Sequence, residues 1–255
     1  MKTNNSPLEP VPTGREIGGK YKHLFFDLDH TLWDFEANSR QTLEDLYHSM
    51  KLEAKGVNDF DLFHKNYLVH NDKLWSRYRN GFIKVDELRW KRMWLTLLDF
   101  KVADEQLARE MGNIFLDLLP TRKILFPDTI EILDYLVDKN YHLHLITNGF
   151  EITQHSKLKN SGLDKYFTEV ITSEGSNSLK PHKEIFDYAF KKTGANPEQS
   201  IMIGDTIEVD ILGAVNAGID QVHVNHLTSN PVPVTGDKFP TFTVYTLKEL
   251  ENVFL

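Results

Sequence analysis

The chain has 255 residues, 40% of them hydrophobic and 26% charged, with no cysteine and a formal charge of -8. That length and composition describe an ordinary globular protein with one large domain, or one domain carrying an insertion. The missing cysteines exclude disulfides, thiolate catalysis and zinc-thiolate centres, the acidic balance disfavours polymeric nucleic acid and anionic membrane surfaces, and no apolar run is long enough to span a bilayer.

The expected setting is therefore the cytoplasm, and a phosphate-bearing ligand must be drawn in by a local cation or dipole. Residues 1–19 hold Pro7, Pro10, Pro12, Gly14, Gly18 and Gly19 among few large apolar groups, the composition of a loose N-terminal arm. From Lys22 to Leu28 a short apolar run suits a strand buried on both faces. It ends in Asp27 and Asp29. Strand geometry aims both the same way, with Thr31 next in line, and two carboxylates that close need a cation between them or a proton on one. The plainer alternative is a strand running into an Asp-rich turn.

Residues 37–120 switch to helical periodicity, as in Leu43, Leu46, Tyr47 and Met50, then Phe60, Phe63, Tyr67 and Leu74. Asn58-Asp59 and Val85-Asp86 offer caps or first-turn carboxylates, and Gly56 and Gly81 break the pattern. Trp75, Tyr78, Phe82, Trp90 and Trp94 fall in this block, where aromatics at helical spacing are expected to form core. After Pro120 strands and helices alternate: a helix over 128–139 closed by Asn140, a strand over 142–147, a helix over 153–160, a strand over 169–172, a helix over 183–192 and a strand over 200–204. A helix over 209–217, strands over 222–224 and 242–244 and a helix over 247–253 complete the chain. The fold class is α/β, a doubly wound, mainly parallel sheet with an inserted all-helical domain. The expected division is a core of residues 20–36 and 121–255 and a helical block of 37–120.

In such sheets ligands bind beyond the carboxyl ends of the strands. Asp27, Thr147 and Asp205 stand there, followed by Asn148-Gly149 and by Asp210, and Lys180-Pro181 lies on a loop at the same edge. Alone, each reads as a turn, a helix-start acid pair or a solvated lysine. Together they supply hard oxygen donors for a divalent cation of the magnesium kind, a carboxylate able to attack phosphorus, a second carboxylate for protons, and donors for phosphate oxygens.

Asp27-Leu28-Asp29-His30-Thr31, Thr147-Asn148-Gly149, Lys180-Pro181 and Gly204-Asp205-Thr206-Ile207-Glu208-Val209-Asp210 resemble, in order, the four motifs of the haloacid dehalogenase-like (HAD) superfamily, and the helical insertion is similar to that family's type 1 cap. The resemblance implies that Asp27 is the nucleophile forming an aspartyl-phosphate, and that Asp29 is the general acid and base holding the leaving group's proton. It implies Mg2+ as cofactor, held by Asp27, the Asp29 backbone carbonyl and Asp205, with Asp210 nearby, and phosphate held by Thr147, Asn148 and Lys180. Dehalogenating members lack the second Asp, so Asp29 points to phosphate chemistry. Where the family often has Gly before the Thr of its first motif, this chain has His30.

The runs Asp29-His30-Thr31-Leu32-Trp33-Asp34-Phe35 and Leu74-Trp75-Ser76-Arg77-Tyr78-Arg79-Asn80-Gly81 look similar to noncanonical pyrimidine nucleotidases. That similarity implies a small phosphorylated metabolite as partner, a pyrimidine nucleoside 5'-monophosphate, handled by a monomer or homodimer. His30, Trp33, Trp75 and Arg79 are the candidate specificity residues, with Phe35, Arg89 and Arg92 beside them. The alternatives are a phosphatase of sugar phosphates or phosphoglycolate, a phosphosugar mutase, and a silent binding protein on the same scaffold.

Overall fold

The computed structural model of the chain describes residues 19–226 and 240–255. The expected arm of residues 1–19 lies, Gly19 apart, outside the described residues. The sheet starts with β1 (His23–Phe26), whose Leu24, Phe25 and Phe26 are fully buried. β2 (His142–Thr147), β3 (Glu169–Thr172), β4 (Ser200–Gly204), β5 (Asp220–Val224) and β6 (Phe242–Val244) complete it in the order β3-β2-β1-β4-β5-β6. Every pairing is parallel.

A central parallel strand is covered on both faces, and β1 shows the division residue by residue. Leu24 and Phe26 join the larger apolar cluster with Ile132 and Leu136 of α5 (Thr129–Asp138). Phe25 joins a second cluster with Phe186 of α8 (Lys183–Thr193) and Ala214 of α9 (Leu212–Ala217). α6 (Glu151–Ser161) and the short α7 (Ser173–Ser176) lie between β2 and α8 in the chain.

Several elements differ from expectation: β5 starts at Asp220, ahead of the expected 222, and the closing helix expected over 247–253 is a 3-10 helix, Leu247–Asn252. β1 stops at Phe26 instead of Leu28, because the Leu28 carbonyl accepts the N–H groups of Leu32 at 3.0 Å and Trp33 at 2.9 Å and the chain turns there. The helix expected over 209–217 is instead a π-helical turn, Ile207–Ile211, followed by α9.

Between β1 and α5 the chain runs through α1 (Phe35–Ser49), α2 (Phe60–Arg79), α3 (Val85–Asp99) and α4 (Glu105–Leu118). Asp34, Asp59 and Asp104 each accept a backbone N–H three residues on, which caps α1, α2 and α4. Leu43, Leu46, Tyr47, Phe63, Tyr67 and Leu74 are buried as their spacing predicts. Phe82 is the exception among the aromatics, at 71% exposed on the loop between α2 and α3. The two crossings between sheet and helices run side by side, joined by a bridge of Trp33 with Leu125. Fully buried Asn38 clips them: its amide donates to the carbonyls of Asp34 and Ile124 at 2.7 Å each, and its Oδ1 accepts from the Ile124 N–H at 3.0 Å. No described helix is long and apolar enough to cross a membrane.

Candidate active site

The strand order reverses around β1, with β2 on one side and β4 on the other, so the crevice between the carboxyl ends of β1 and β4 is where this topology binds ligands. Asp27 follows β1 and Asp205 follows β4. Asp210 is carried to them by the π turn, and carboxylate oxygens of the three lie within 4.8 Å of one another. Gly204 makes room for that approach, since a Cβ there would meet Asp210 Cγ at 2.5 Å.

Lys180 enters the cluster from a loop and is 1% exposed. Its Nζ donates to Asp27 Oδ1 at 2.5 Å and to the Ile146 carbonyl at 2.6 Å, and forms an ion pair with Asp210 Oδ1 at 2.7 Å. Its backbone is gripped by Asn148, whose Nδ2 donates to the Lys180 carbonyl at 2.9 Å and whose Oδ1 accepts the Lys180 N–H at 2.7 Å. Asn148, expected to hold phosphate, also lines the cavity, and each end of its side chain makes one bond that positions Lys180.

Burial pushes Asp27 well above the usual carboxylate range, opposed by Lys180 and reinforced by Asp210 and Asp205. Burial and the charge of Asp210 push Asp205 up to about 7. Burial also works against the charge on Lys180, but Asp210 and Asp27 more than offset it and the ammonium stays protonated. Three carboxylates against one lysine leave the cluster short of positive charge, and its hard oxygen donors suit a divalent cation.

Asp29 does not share this cluster. Because the strand ends at Phe26, its carboxylate turns to α6, accepting from Lys157 Nζ at 2.6 Å and Gln154 Nε2 at 2.9 Å. Burial alone would raise it, yet the charge of Lys157 and the hydrogen bonds from Lys157 and Gln154 bring it below the usual carboxylate range. Lys157 and Gln154 thus favour the ionised form of Asp29 in this arrangement. Gln154 also donates to Thr147 Oγ1 at 2.9 Å, and the Gly149 N–H donates to the same oxygen at 3.1 Å. With both lone pairs taken, the Thr147 hydroxyl is left with its proton to give. Neither Gln154 nor Lys157 stands out in the sequence. The available signal is their i, i+3 spacing on the helix that follows Thr147-Asn148-Gly149.

A cavity of about 380 Å³ extends from this crevice to the helical insertion. Leu68, Asn71, Asp72, Trp75 and Arg79 line it from one face of α2, and Arg92 from α3. Of the candidate specificity residues, His30, Trp75, Arg79, Phe35 and Arg92 line the cavity. Trp33 does not. It is fully buried in the large apolar cluster, with Lys157 Nζ 4.3 Å from its ring centroid, so its bulk serves packing. Arg89 is also elsewhere, over the Phe150 ring and 3.9 Å from Glu174.

A family model described as haloacid dehalogenase-like hydrolase matches residues 21–218. The chain belongs to that family. Pyrimidine 5'-nucleotidase YjjG of Escherichia coli (strain K12) is 33% identical over 240 residues, 92% of this chain and 98% of its own. Pyrimidine 5'-nucleotidase PynA of Streptococcus pneumoniae is 31% identical over 232 residues, 90% of this chain and 93% of its own. Among solved structures, the HAD-hydrolase YfnB from Bacillus subtilis bound to magnesium aligns with a TM-score of 0.80 at 26% identity, covering 92% of this chain and 98% of that one. The protein is thus an enzyme, a phosphatase of the HAD family. In this HAD phosphatase the residue before Thr31 is His30, which takes the left-handed backbone that Gly adopts without penalty, φ 65, and rests its ring 5.1 Å from that of Phe35.

Proposed function

We propose that this HAD phosphatase removes phosphate from pyrimidine nucleoside 5'-monophosphates through an aspartyl-phosphate on Asp27. The observation that carries the substrate class is the likeness to two pyrimidine 5'-nucleotidases over nine-tenths of the chain, the helical insertion included. The cavity supports it: its volume is that of a small-molecule site, and it joins the crevice to flat, half-buried walls such as Trp75, stacked on Phe150.

Asp27, Asp205 and Asp210, with the Asp29 backbone carbonyl, would hold Mg2+, which when bound neutralises charge on the phosphate and favours the ionised form of Asp27. Asp27 attacks phosphorus, so that its Oδ–P bond forms as the bond to the 5' oxygen breaks. Lys180 balances charge on the transferring group and the Thr147 hydroxyl donates to one of its oxygens. Asp29 is held low at rest, and an arriving phosphate dianion raises it, as a like charge must, so it takes up the proton that the departing oxygen needs. In the second half it accepts a proton from water as that water attacks the aspartyl-phosphate, which releases inorganic phosphate and restores Asp27. Lys157 and Gln154 fix its carboxylate for both steps.

Phosphate release from a panel of pyrimidine and purine mononucleotides, sugar phosphates and phosphoglycolate tests the substrate class. UMP, CMP and dTMP are expected to lead in kcat/KM. Dominance of sugar phosphates or phosphoglycolate would reject the nucleotide reading, and an isomerised product with little free phosphate would identify a mutase. Asp27→Asn should lower kcat on the order of 10⁴-fold while the folded state persists, and an unchanged rate would remove Asp27 as nucleophile.

A further inference from the structure

The wall of the cavity opposite the acidic cluster carries a buried cation without an anion. Arg92 is 2% exposed and lines the cavity. Its guanidinium lies over Phe115, 5.2 Å from the ring centroid, and donates to Asn71 Oδ1 at 3.0 Å, while its Nε is buried with no hydrogen-bond partner. Among the described residues no carboxylate forms an ion pair with it. The neighbouring phenol of Tyr67, pushed up to about 12 by burial, stays neutral and brings no counter-charge. Its hydroxyl donates at 3.5 Å to the Asn71 oxygen that Arg92 also uses. That oxygen is therefore occupied twice, and Asn71 is left to offer the two N–H donors of its amide.

A buried arginine that serves only packing is expected to have its N–H groups closed by carboxylates or carbonyls. Here the guanidinium has only the neutral oxygens of Asn71 and Tyr67 as side-chain partners, its Nε has none, and it borders a cavity. The place also matters. Arg79, on the same face of α2, feels the charge of Asp210, whereas Asn71 lies two turns back along the helix, about 12 Å at 1.5 Å per residue. Arg92 and Asn71 thus stand where a leaving group, not the phosphate, would reach. Glu36 and Asp72 line the cavity too, so a second anion on the substrate would meet like charge, whereas a neutral carbonyl would not.

Resting on the nucleotidase reading above, we propose that Arg92 and Asn71 form the base subsite, donating N–H groups to the C2 carbonyl oxygen of the pyrimidine. That oxygen is common to cytosine, uracil and thymine, and adenine has no carbonyl. The subsite therefore accepts all three pyrimidines and discriminates against AMP.

The test is kcat/KM of the full chain with Mg2+ for UMP, CMP, AMP, phosphoglycolate and acetyl phosphate, whose leaving group is too small to reach Arg92. Two variants are compared with the unmutated chain. Arg92→Gln removes the guanidinium. Asn71→Asp keeps the size of the side chain and gives Arg92 a carboxylate partner, so it guards against simple misfolding while removing the amide donors. Both are expected to lower kcat/KM for UMP and CMP at least tenfold more than for acetyl phosphate, with the thermal midpoint of Asn71→Asp at or above that of the unmutated chain. A folded Asn71→Asp whose UMP to acetyl phosphate ratio stays within twofold of the unmutated value would overturn the subsite. A larger loss on phosphoglycolate than on UMP would show a carboxylate occupant and overturn the pyrimidine assignment. If the unmutated chain itself fails to prefer UMP to acetyl phosphate, the nucleotidase reading falls first, and that failure is visible before any variant is made.

Discussion

His30 and Lys157 each test how far one side chain sets the behaviour of the site. The left-handed backbone of His30, φ 65, costs an L-residue roughly 1–2 kcal/mol that Gly does not incur. His30→Gly is therefore expected to gain up to about 1 kcal/mol in urea denaturation, and a net loss would mean that the ring's packing on Phe35 outweighs the backbone strain. Lys157→Met leaves Asp29 buried without its cation, so the carboxyl rises. Asp29 must carry the leaving group's proton in the step that kcat/KM reports, so the alkaline limb of its pH profile should move up, and a limb that stays in place would show that Asp29 does not govern it. Asp27, Lys180, Asp205 and Asp210 were legible in the sequence because the backbone delivers them to one edge as soon as the strands are placed. Gln154 and Lys157 were not, because their contact with Asp29 depends on the rotation of α6 and on the early end of β1. The same early turn buries Trp33, which a continued strand would not have done.

At the scale of elements, apolar strands with polar ends read well: β2, β3, β4 and β6 fall where the alternation of the sequence puts them. Boundaries set by tertiary hydrogen bonds did not. Leu28 continues the apolar run of β1, yet its carbonyl belongs to a turn, and the π turn at Ile207–Ile211 answers to the placement of Asp210 and not to helical periodicity. The junction between sheet and helical insertion is another such case, since Asn38 is one polar residue in a helix by sequence and a three-bond clip by structure. Asn38→Ala leaves the Ile124 N–H without its partner, removes one of two hydrogen bonds at each of the Asp34 and Ile124 carbonyls, and is expected to cost about 2 kcal/mol in urea denaturation. A loss under about 0.5 kcal/mol would mean that water or neighbouring groups replace the clip.

For the whole molecule, two ends of the sheet carry titrations of opposite sign. At the start of β1 and β2, His23 stacks between His142 and His144, with ring centroids 5.1 and 5.4 Å away, and burial, with the charges of His23 and His142, pushes His144 down to about 4. As pH falls from 6.5 toward 4 the unfolded chain takes this proton before the folded one does, so stability falls by up to about 1.4 kcal/mol per unit. At the other end Asp205, raised to about 7, works the other way. As pH rises from about 4 to 7 the unfolded chain sheds a proton that the folded chain keeps, so stability falls on that side at a similar rate, and Asp27 adds in the same direction. Without a divalent cation the two trends oppose, and stability does not rise between pH 5 and 7. With Mg2+ saturating the cluster, the carboxylates are held ionised and only the histidine trend remains, so stability rises over the same interval. Urea midpoints at pH 5, 6 and 7, in EDTA and in Mg2+, should therefore diverge as pH rises, and Asp205→Asn should close the gap. A gap of constant size would mean that the cation displaces no proton from Asp205, and that the cluster binds it already ionised.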